Sequence, residues 1–460
     1  MRFLSRRRVA AAQFTFTSLL TATFCIILAT VACFQRIDPP PAPQAVLGRW
    51  LLTFHIMGGL FRTPVELTAD SSGMLRAAAL GPPVVRFERA SVENGVLRLE
   101  GASRFGRVHI SGHLIGDSLQ ARWRIKILRG NVTGHKLAIA PSSSPERVAA
   151  FDSAWTMVSR MFYDPSFGGV DWAIVHTRYA PQAMAARNDG DLLAVMRRML
   201  AELHSSHLDI SAITLADAFP TRGGGSSTDE PEYIAWRALT PSIGYLRIAQ
   251  FDEGPAAIAR LDSAFSVLGA LRGLIVDVRG NPGGTLGLAL RLGDNLLTKP
   301  SPVGYFATRG GLRSFGVTSI DELDPAKLPR FRGYSVEDFQ RDLRHAGAMT
   351  IETGGRVARP YLGRVVLLID ERSGSTTEAL AAVMQELHRA TLVGHRTAGG
   401  MLSSAEIPIV GGWVLRLPEA DFRTPAGQRV EGTGVTPDVI ASKHWYRDNQ
   451  LRAGVSVLEH

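Results

Sequence analysis

At 460 residues the chain has room for roughly two or three domains, each large enough to bury a core. Its formal charge of +9 includes Arg2, Arg6, Arg7 and Arg8; without those four, a chain starting at Cys33 carries +5, and no Lys/Arg-rich block points to nucleic acid. Both cysteines, Cys25 and Cys33, lie in the same opening segment, so the body beyond it cannot close an internal disulfide.

Residues 1–33 have the form of an export signal, with the four arginines followed by the mostly apolar run Phe14 to Phe34. Thr30-Val31-Ala32-Cys33 resembles a bacterial lipoprotein cleavage box with Cys33 as the acylated residue. Plain signal cleavage and an uncleaved anchor stay open beside it, because the run is about long enough to span a bilayer. The expectation is an exported protein, periplasmic or envelope-associated, held at the membrane by this segment or its lipid. Residues 34–47, with Pro39-Pro40-Pro41-Ala42-Pro43, read as a stiff spacer.

From 48 to 140 the pattern is all-β. Asn94-Gly95 separates two strand-like runs, a strong hairpin signal, and Gly116-Asp117-Ser118 plays a similar part. A small antiparallel barrel or sandwich is expected, and the Gly48-Arg49-Trp50 opening resembles lipocalin-type small barrels. Residues 144–212 then read as a helical unit. Ser144 can cap and Pro145 suits a first turn; Val148, Phe151, Trp155, Val158 and Phe162 step by three and four. Leu192, Met196, Met199 and Leu203 repeat the pattern, and the helix runs out at His204-Ser205-Ser206-His207, so His207 sits where helix gives way to an extended segment.

After the loop 221–227, residues 230–445 alternate strand and helix. Leu274-Ile275-Val276-Asp277-Val278 is a strand of the kind buried on both faces, and it ends in the turn Asn281-Pro282-Gly283-Gly284. Residues 310–362 look polar and irregular, as a helical insertion near a site mouth would. Val365 to Ile369 is a second apolar strand, followed by Arg372-Ser373-Gly374-Ser375-Thr376-Thr377-Glu378 and a helical pattern. A hydroxyl at that helix start lies among unpaired N–H groups that favour negative charge. Ser375-x-x-Glu378 also fits a capping box that needs no catalysis. Ser373 competes with Ser375 for the part of nucleophile.

Acyl transfer needs a nucleophile, a base, a group that orients the base, and donors for the oxyanion. A helix-start serine, an upstream histidine, a Gly-Gly turn and a late glutamate supply such a set. The run Ile275 to Gly284 is similar to the signature of C-terminal processing proteases. So are Ser373-Gly374-Ser375-Thr376-Thr377-Glu378, Arg389-Ala390-Thr391-Leu392-Val393-Gly394 and Gly434-Val435-Thr436-Pro437-Asp438. With Ser206-His207 the ordered match spans roughly residues 144–440. The family includes the tricorn core protease and the interphotoreceptor retinoid-binding protein. The resemblance implies a multidomain α+β chain whose α/β core is a crotonase-like ββα superhelix.

Two departures refine it. Processing proteases with a Ser-Lys dyad carry a lysine about 25 residues after the serine; Thr397-Ala398-Gly399-Gly400-Met401 offers none. The tricorn-like branch uses histidine and glutamate instead, and Ser206-His207 and Glu431 fall on those positions. That resemblance makes Ser375 the nucleophile, His207 the general base, Glu431 its orienting group with Ser206 as link, and the N–H groups of Thr376 and of Gly283 or Gly284 the oxyanion hole. Asp277 and Arg279 would hold the turn. It implies polypeptide or oligopeptide substrates and no cofactor or metal. The second departure is the interval Ile210 to Ile243, too short for the PDZ domain of the processing proteases. A non-catalytic binder of an apolar ligand or peptide on the same scaffold is the alternative, and a crotonase-like acyl-CoA enzyme a third.

Overall fold

The computed structural model describes residues 43–460 except 57–58, 83–84, 104, 140–141, 219–232, 252–253 and 443–446. The expected export segment with Cys33, most of the spacer and the loop 221–227 lie outside the described residues.

Period-two alternation builds the first unit. In Ser118–Ile125 the residues Leu119, Ala121 and Trp123 are buried while Gln120, Arg122 and Arg124 are exposed, as one-sided burial requires. Eight antiparallel strands run from Gly48–Ile56 to Leu128–Lys136, and the eighth pairs back on the first. Each pairs with the next except Leu75–Ala79 and Arg86–Glu93, which lie side by side without a ladder. The result is an up-and-down near-barrel with one open seam. The Asn94-Gly95 turn forms as expected, both residues at positive φ (51° and 72°). Trp50, Leu52, Leu99, Ile110 and Trp123 bury inside it.

Three helices follow: Ser144–Met161, Trp172–Met184 and Asp189–Ala201. The first is capped by Ser143, one residue earlier than the sequence suggested, in a reciprocal box with Glu146. The second has no counterpart in the sequence reading; Asp171 caps it by accepting the Ala173 and Ile174 N–H groups. Phe151, Val158, Leu192, Met196 and Met199 meet in one core.

The remainder is built on two sheets. In the first, Gly273–Asp277, Arg364–Ile369, Thr391–Gly394 and Val439–Ile440 are neighbouring parallel strands, and Ile243–Ile248 adds a further parallel strand beside Gly273–Asp277. Strand Ile234–Thr240 completes the edge antiparallel. Helices Leu286–Leu296 and Thr376–Glu386 cover one face, and helix Asn449–Glu459 covers the other through Leu451, Val455 and Leu458. The second sheet holds Ser301–Thr308, Ala348–Thr353, Trp413–Arg423 and Ser403–Ile409. The stretch 310–362 is therefore not simply an irregular insertion, because it contains helix Val336–Ala346 and the wholly buried strand Ala348–Thr353. Strand Asp209–Ser211 pairs antiparallel with Val414–Arg416 and ties the helical unit to this sheet.

A buried ion pair joins the near-barrel to the helices: Arg49 Nη2 meets Asp189 Oδ2 at 2.6 Å. Beside it Glu66 accepts the Gly190 N–H (2.8 Å), and burial together with Asp189 pushes the Glu66 carboxyl up. Arg49 also lies over the Trp413 ring, 5.8 Å from its centroid. Arg49→Ala would strand Asp189 in the interior, so it is expected to cost roughly 3–5 kcal/mol of stability, whereas Arg49→Met combined with Asp189→Leu recovers most of it. Chemical denaturation followed by tryptophan fluorescence measures both; an Arg49→Ala protein as stable as its parent would contradict the assignment.

Candidate active site

Three loops leave the carboxyl ends of three adjacent parallel strands, where open α/β sheets place their ligands. They are 278–285 after Gly273–Asp277, 370–375 after Arg364–Ile369, and 395–402 after Thr391–Gly394.

The first two are stitched together. Gly280 N–H donates to Asp370 Oδ1 (2.7 Å), Gly374 N–H to the Asn281 carbonyl (3.0 Å), and the Thr376 hydroxyl to the Gly284 carbonyl (2.8 Å). A Cβ on Gly283 would come within 2.7 Å of Ser375 Cβ, and one on Gly284 within 1.9 Å of the Phe251 carbonyl oxygen. The Gly-Gly pair is thus what lets the turn close on the serine. Asp277 and Arg279 brace it from behind: Arg279 bonds Asp277 Oδ2 (2.6 Å) and reaches Asp448 Oδ1 (2.7 Å).

Ser375 sits at φ 55°, ψ −124°, a conformation that costs a non-glycine residue roughly 1–3 kcal/mol. It is the partly exposed member of the otherwise buried run 373–380. Ser375 and Glu378 stand in the capping-box arrangement: Glu378 Oε2 accepts the Ser375 N–H (3.0 Å), while the Glu378 N–H goes to the Ser375 carbonyl (2.7 Å). Ser373 is fully buried, donating to the Val278 carbonyl (2.8 Å) and accepting the Asp370 N–H (3.0 Å). Its hydroxyl is committed to holding the turn. The Gly283 N–H is spent on Asn281 Oδ1 (2.9 Å). The N–H groups of Gly284 and Thr376 have no acceptor among the described residues.

Glu378 does more than flank a helix start. Its Oε1 accepts the Thr397 hydroxyl (2.5 Å) and the Gly399 N–H (2.7 Å), and its Oε2 also accepts the Gly400 N–H (2.8 Å). Burial pushes this carboxyl up while the four bonds pull it down. The sequence reading missed this role and that of Thr397; the polar-glycine pattern Thr397-Ala398-Gly399-Gly400 was the available signal. Thr397 Oγ1 in turn accepts the Val435 N–H (2.7 Å), fixing the Gly434-Val435-Thr436-Pro437-Asp438 stretch.

On the far side of the same loop, Glu431 Oε2 accepts the Met401 N–H (2.8 Å) and the Ser206 hydroxyl (2.7 Å), while its Oε1 accepts the Ser206 N–H (2.9 Å). A hydroxyl has one proton. With that proton on Glu431, Ser206 Oγ accepts from His207 Nδ1 at 2.8 Å, which leaves the lone pair on Nε2. His207 stands at φ 57°, and its carbonyl accepts Arg416 Nε (3.2 Å). Burial first, and the Arg416 charge second, bring the imidazole down to about 4. A Cβ on Gly400 would lie 3.6 Å from Ser206 Oγ and 3.9 Å from His207 Cε1. His207 thus lies beside Gly400, whose N–H shares Glu378 Oε2 with the Ser375 N–H, and no hydrogen bond joins the His207 and Ser375 side chains among the described residues. Among the described residues no group of three or more His, Cys, Asp or Glu is arranged to hold a metal ion.

Residues 242–441 match the model of peptidase family S41, and residues 143–201 match the tricorn protease C1 domain. The carboxy-terminal-processing protease of Bartonella bacilliformis is 29% identical over 206 residues, 44% of this chain and 39% of that protein. The chloroplastic C-terminal processing peptidase of Tetradesmus obliquus is 26% identical over 213 residues, 45% of this chain and 38% of its own length. This chain thus spans about two fifths of these relatives. A solved structure from Parabacteroides merdae shares the fold at TM-score 0.50 and 22% identity, covering 69% of this chain and 98% of that one. On these matches residues 242–441 form a region of peptidase family S41, a family of serine-type peptidases.

Proposed function

We propose that the chain hydrolyses peptide bonds of proteins or oligopeptides through an acyl-enzyme on Ser375. The observation that carries this reading is the Glu431–Ser206–His207 relay beside Gly400, whose N–H shares Glu378 Oε2 with the N–H of Ser375, a partly exposed serine in a strained helix-start turn. His207 Nε2 takes the Ser375 proton as Oγ attacks the scissile carbonyl. The oxyanion is met by the N–H groups of Thr376 and Gly284, the latter in preference to Gly283. His207 then returns the proton to the leaving amine, and water repeats the sequence in reverse. Glu431 steadies the transient imidazolium through Ser206, which matters because burial and Arg416 make that cation costly.

The same reading includes the crotonase-like superhelix for the core and the lipocalin-type barrel for the first unit, supported by the strand and helix order. No described helix is long and apolar enough to cross a membrane, so export and membrane attachment rest on the sequence of residues 1–33, with Cys33 as the acylation candidate.

A fluorophosphonate should label the protein, and Ser375→Ala should abolish labelling and lower peptide hydrolysis by about 10⁴-fold or more. An unlabelled parent protein would favour the non-catalytic binding reading. Glu431→Gln should cost on the order of 10⁴-fold, since an amide donating to Ser206 reverses the relay and moves the imidazole proton to Nε2. Nitrogen NMR of His207 reads that tautomer directly.

The acid limb of kcat/KM should fall near pH 4 and not near 6.5. The native state binds this proton less readily than the unfolded chain, so stability rises with pH between about 4 and 6.5 and is lost on acidification through that window. A limb at pH 6.5 in the pH–rate profile would refute the burial argument.

A further inference from the structure

In an up-and-down meander, alternate turns fall at opposite ends. At one end of the near-barrel the turns carry acids: Asp70, Glu93 beside Asn94-Gly95, and Asp117. At the other end lie Ile56 at the close of its strand, Phe105, and the turn Lys126-Ile127. The fourth connection at this end is turned into the helices, with Ala212 N–H on the Leu80 carbonyl (2.7 Å).

The chemistry of this end is unusual. Ile127 is 93% exposed, Leu128 56%, Phe105 52% and Ile56 39%. Lys126-Ile127 occupies a two-residue hairpin loop where Asn-Gly is favoured, and Lys126 takes φ 53°. Folding alone gives no reason for a fully exposed isoleucine at that position. Around it stand Arg122, Arg124, Lys126 and Arg129, all exposed, and Arg124 faces Arg129 directly across the ladder. Like charges in that register repel. None of the four has a carboxylate partner among the described residues, whereas nearby Arg107 pairs with Glu88. From Gly48 to Lys136 the sequence has 13 Lys/Arg against 6 Asp/Glu, a surplus of seven.

We propose that this end of the near-barrel docks on an anionic lipid surface, with Ile127, Leu128 and Phe105 entering the interface and the arginines meeting headgroup phosphates. A nucleic acid or an acidic protein would answer the charges and leave the apolar tips in water; a lipid interface takes both. The inference stands apart from the serine chemistry and from any attachment through residues 1–33, since it concerns which face of the folded body turns to the bilayer.

The test uses the full chain with Cys25→Ser and Cys33→Ser, labelled with an environment-sensitive fluorophore at Ile127→Cys or, at the opposite end, at Ser71→Cys. Both positions lie at exposed turns, so the fold is preserved. Vesicles of equal parts phosphatidylglycerol and phosphatidylcholine should shift the emission at 127 to the blue and expose it to a lipid-borne quencher, with no change at 71. Arg124→Gln with Arg129→Gln should weaken the shift. An unchanged emission at 127, equal shifts at 127 and 71, or the same shift on pure phosphatidylcholine would each overturn the proposal.

Discussion

Two buried carboxylates grip one short loop from opposite sides, and the candidate site depends on that grip. Glu378 takes the N–H groups of Gly399 and Gly400, Glu431 takes the next one along, Met401, and each has a second commitment: Glu378 to the serine turn, Glu431 to Ser206. Four and three hydrogen bonds respectively offset the cost of burying these groups. The loop ties the Ser375 turn to the Ser206-His207 segment although the two share no direct bond. Lengthening or shortening it by a residue would put one carboxylate out of register with its donors.

The strain at Ser375 is affordable because its neighbours over-determine the turn. Ser373 below it, Asn281 and Gly284 beside it and Glu378 behind it each hold a backbone group. That network leaves Ser375 partly exposed at a helix start while the hydroxyls of Ser373, Thr376 and Thr377 are occupied. The result is a division of labour between Ser373 and Ser375 that their sequence spacing cannot reveal.

Much of the architecture was legible because it rests on local pattern. The Asn94-Gly95 hairpin, the all-apolar strand before Asn281 and the 3.6-period faces of the first and third helices each carry their own signal. Strand Ala348–Thr353 was hidden because its buried polar residues, Thr350, Glu352 and Thr353, are satisfied by distant partners; Arg332 reaches Glu352 at 2.7 Å. Helix Trp172–Met184 was masked by Pro181 within it. The Ser375, His207 and Glu431 assignments came from resemblance, and spacing alone could not have supplied them, because 225 positions separate Ser206 from Glu431. Glu378 was legible as a cap and illegible as a bridge, since the bridging depends on where a loop 19 to 22 residues downstream returns.

The serine turn belongs to the parallel sheet, while the histidine is held by the other sheet through Arg416 and the pairing of Asp209–Ser211 with Val414–Arg416. Strand Trp413–Arg423 also bears Trp413, on which Arg49 of the near-barrel rests. The candidate site is thus drawn from both sheets, which meet in one buried core where Phe306, Ile351 and Phe422 pack with Val276, Leu367 and Leu392. Strand Trp413–Arg423 therefore touches the near-barrel at Trp413 and the His207 backbone at Arg416, so the near-barrel's nearest tie to the candidate site runs to the histidine and leaves the serine turn untouched.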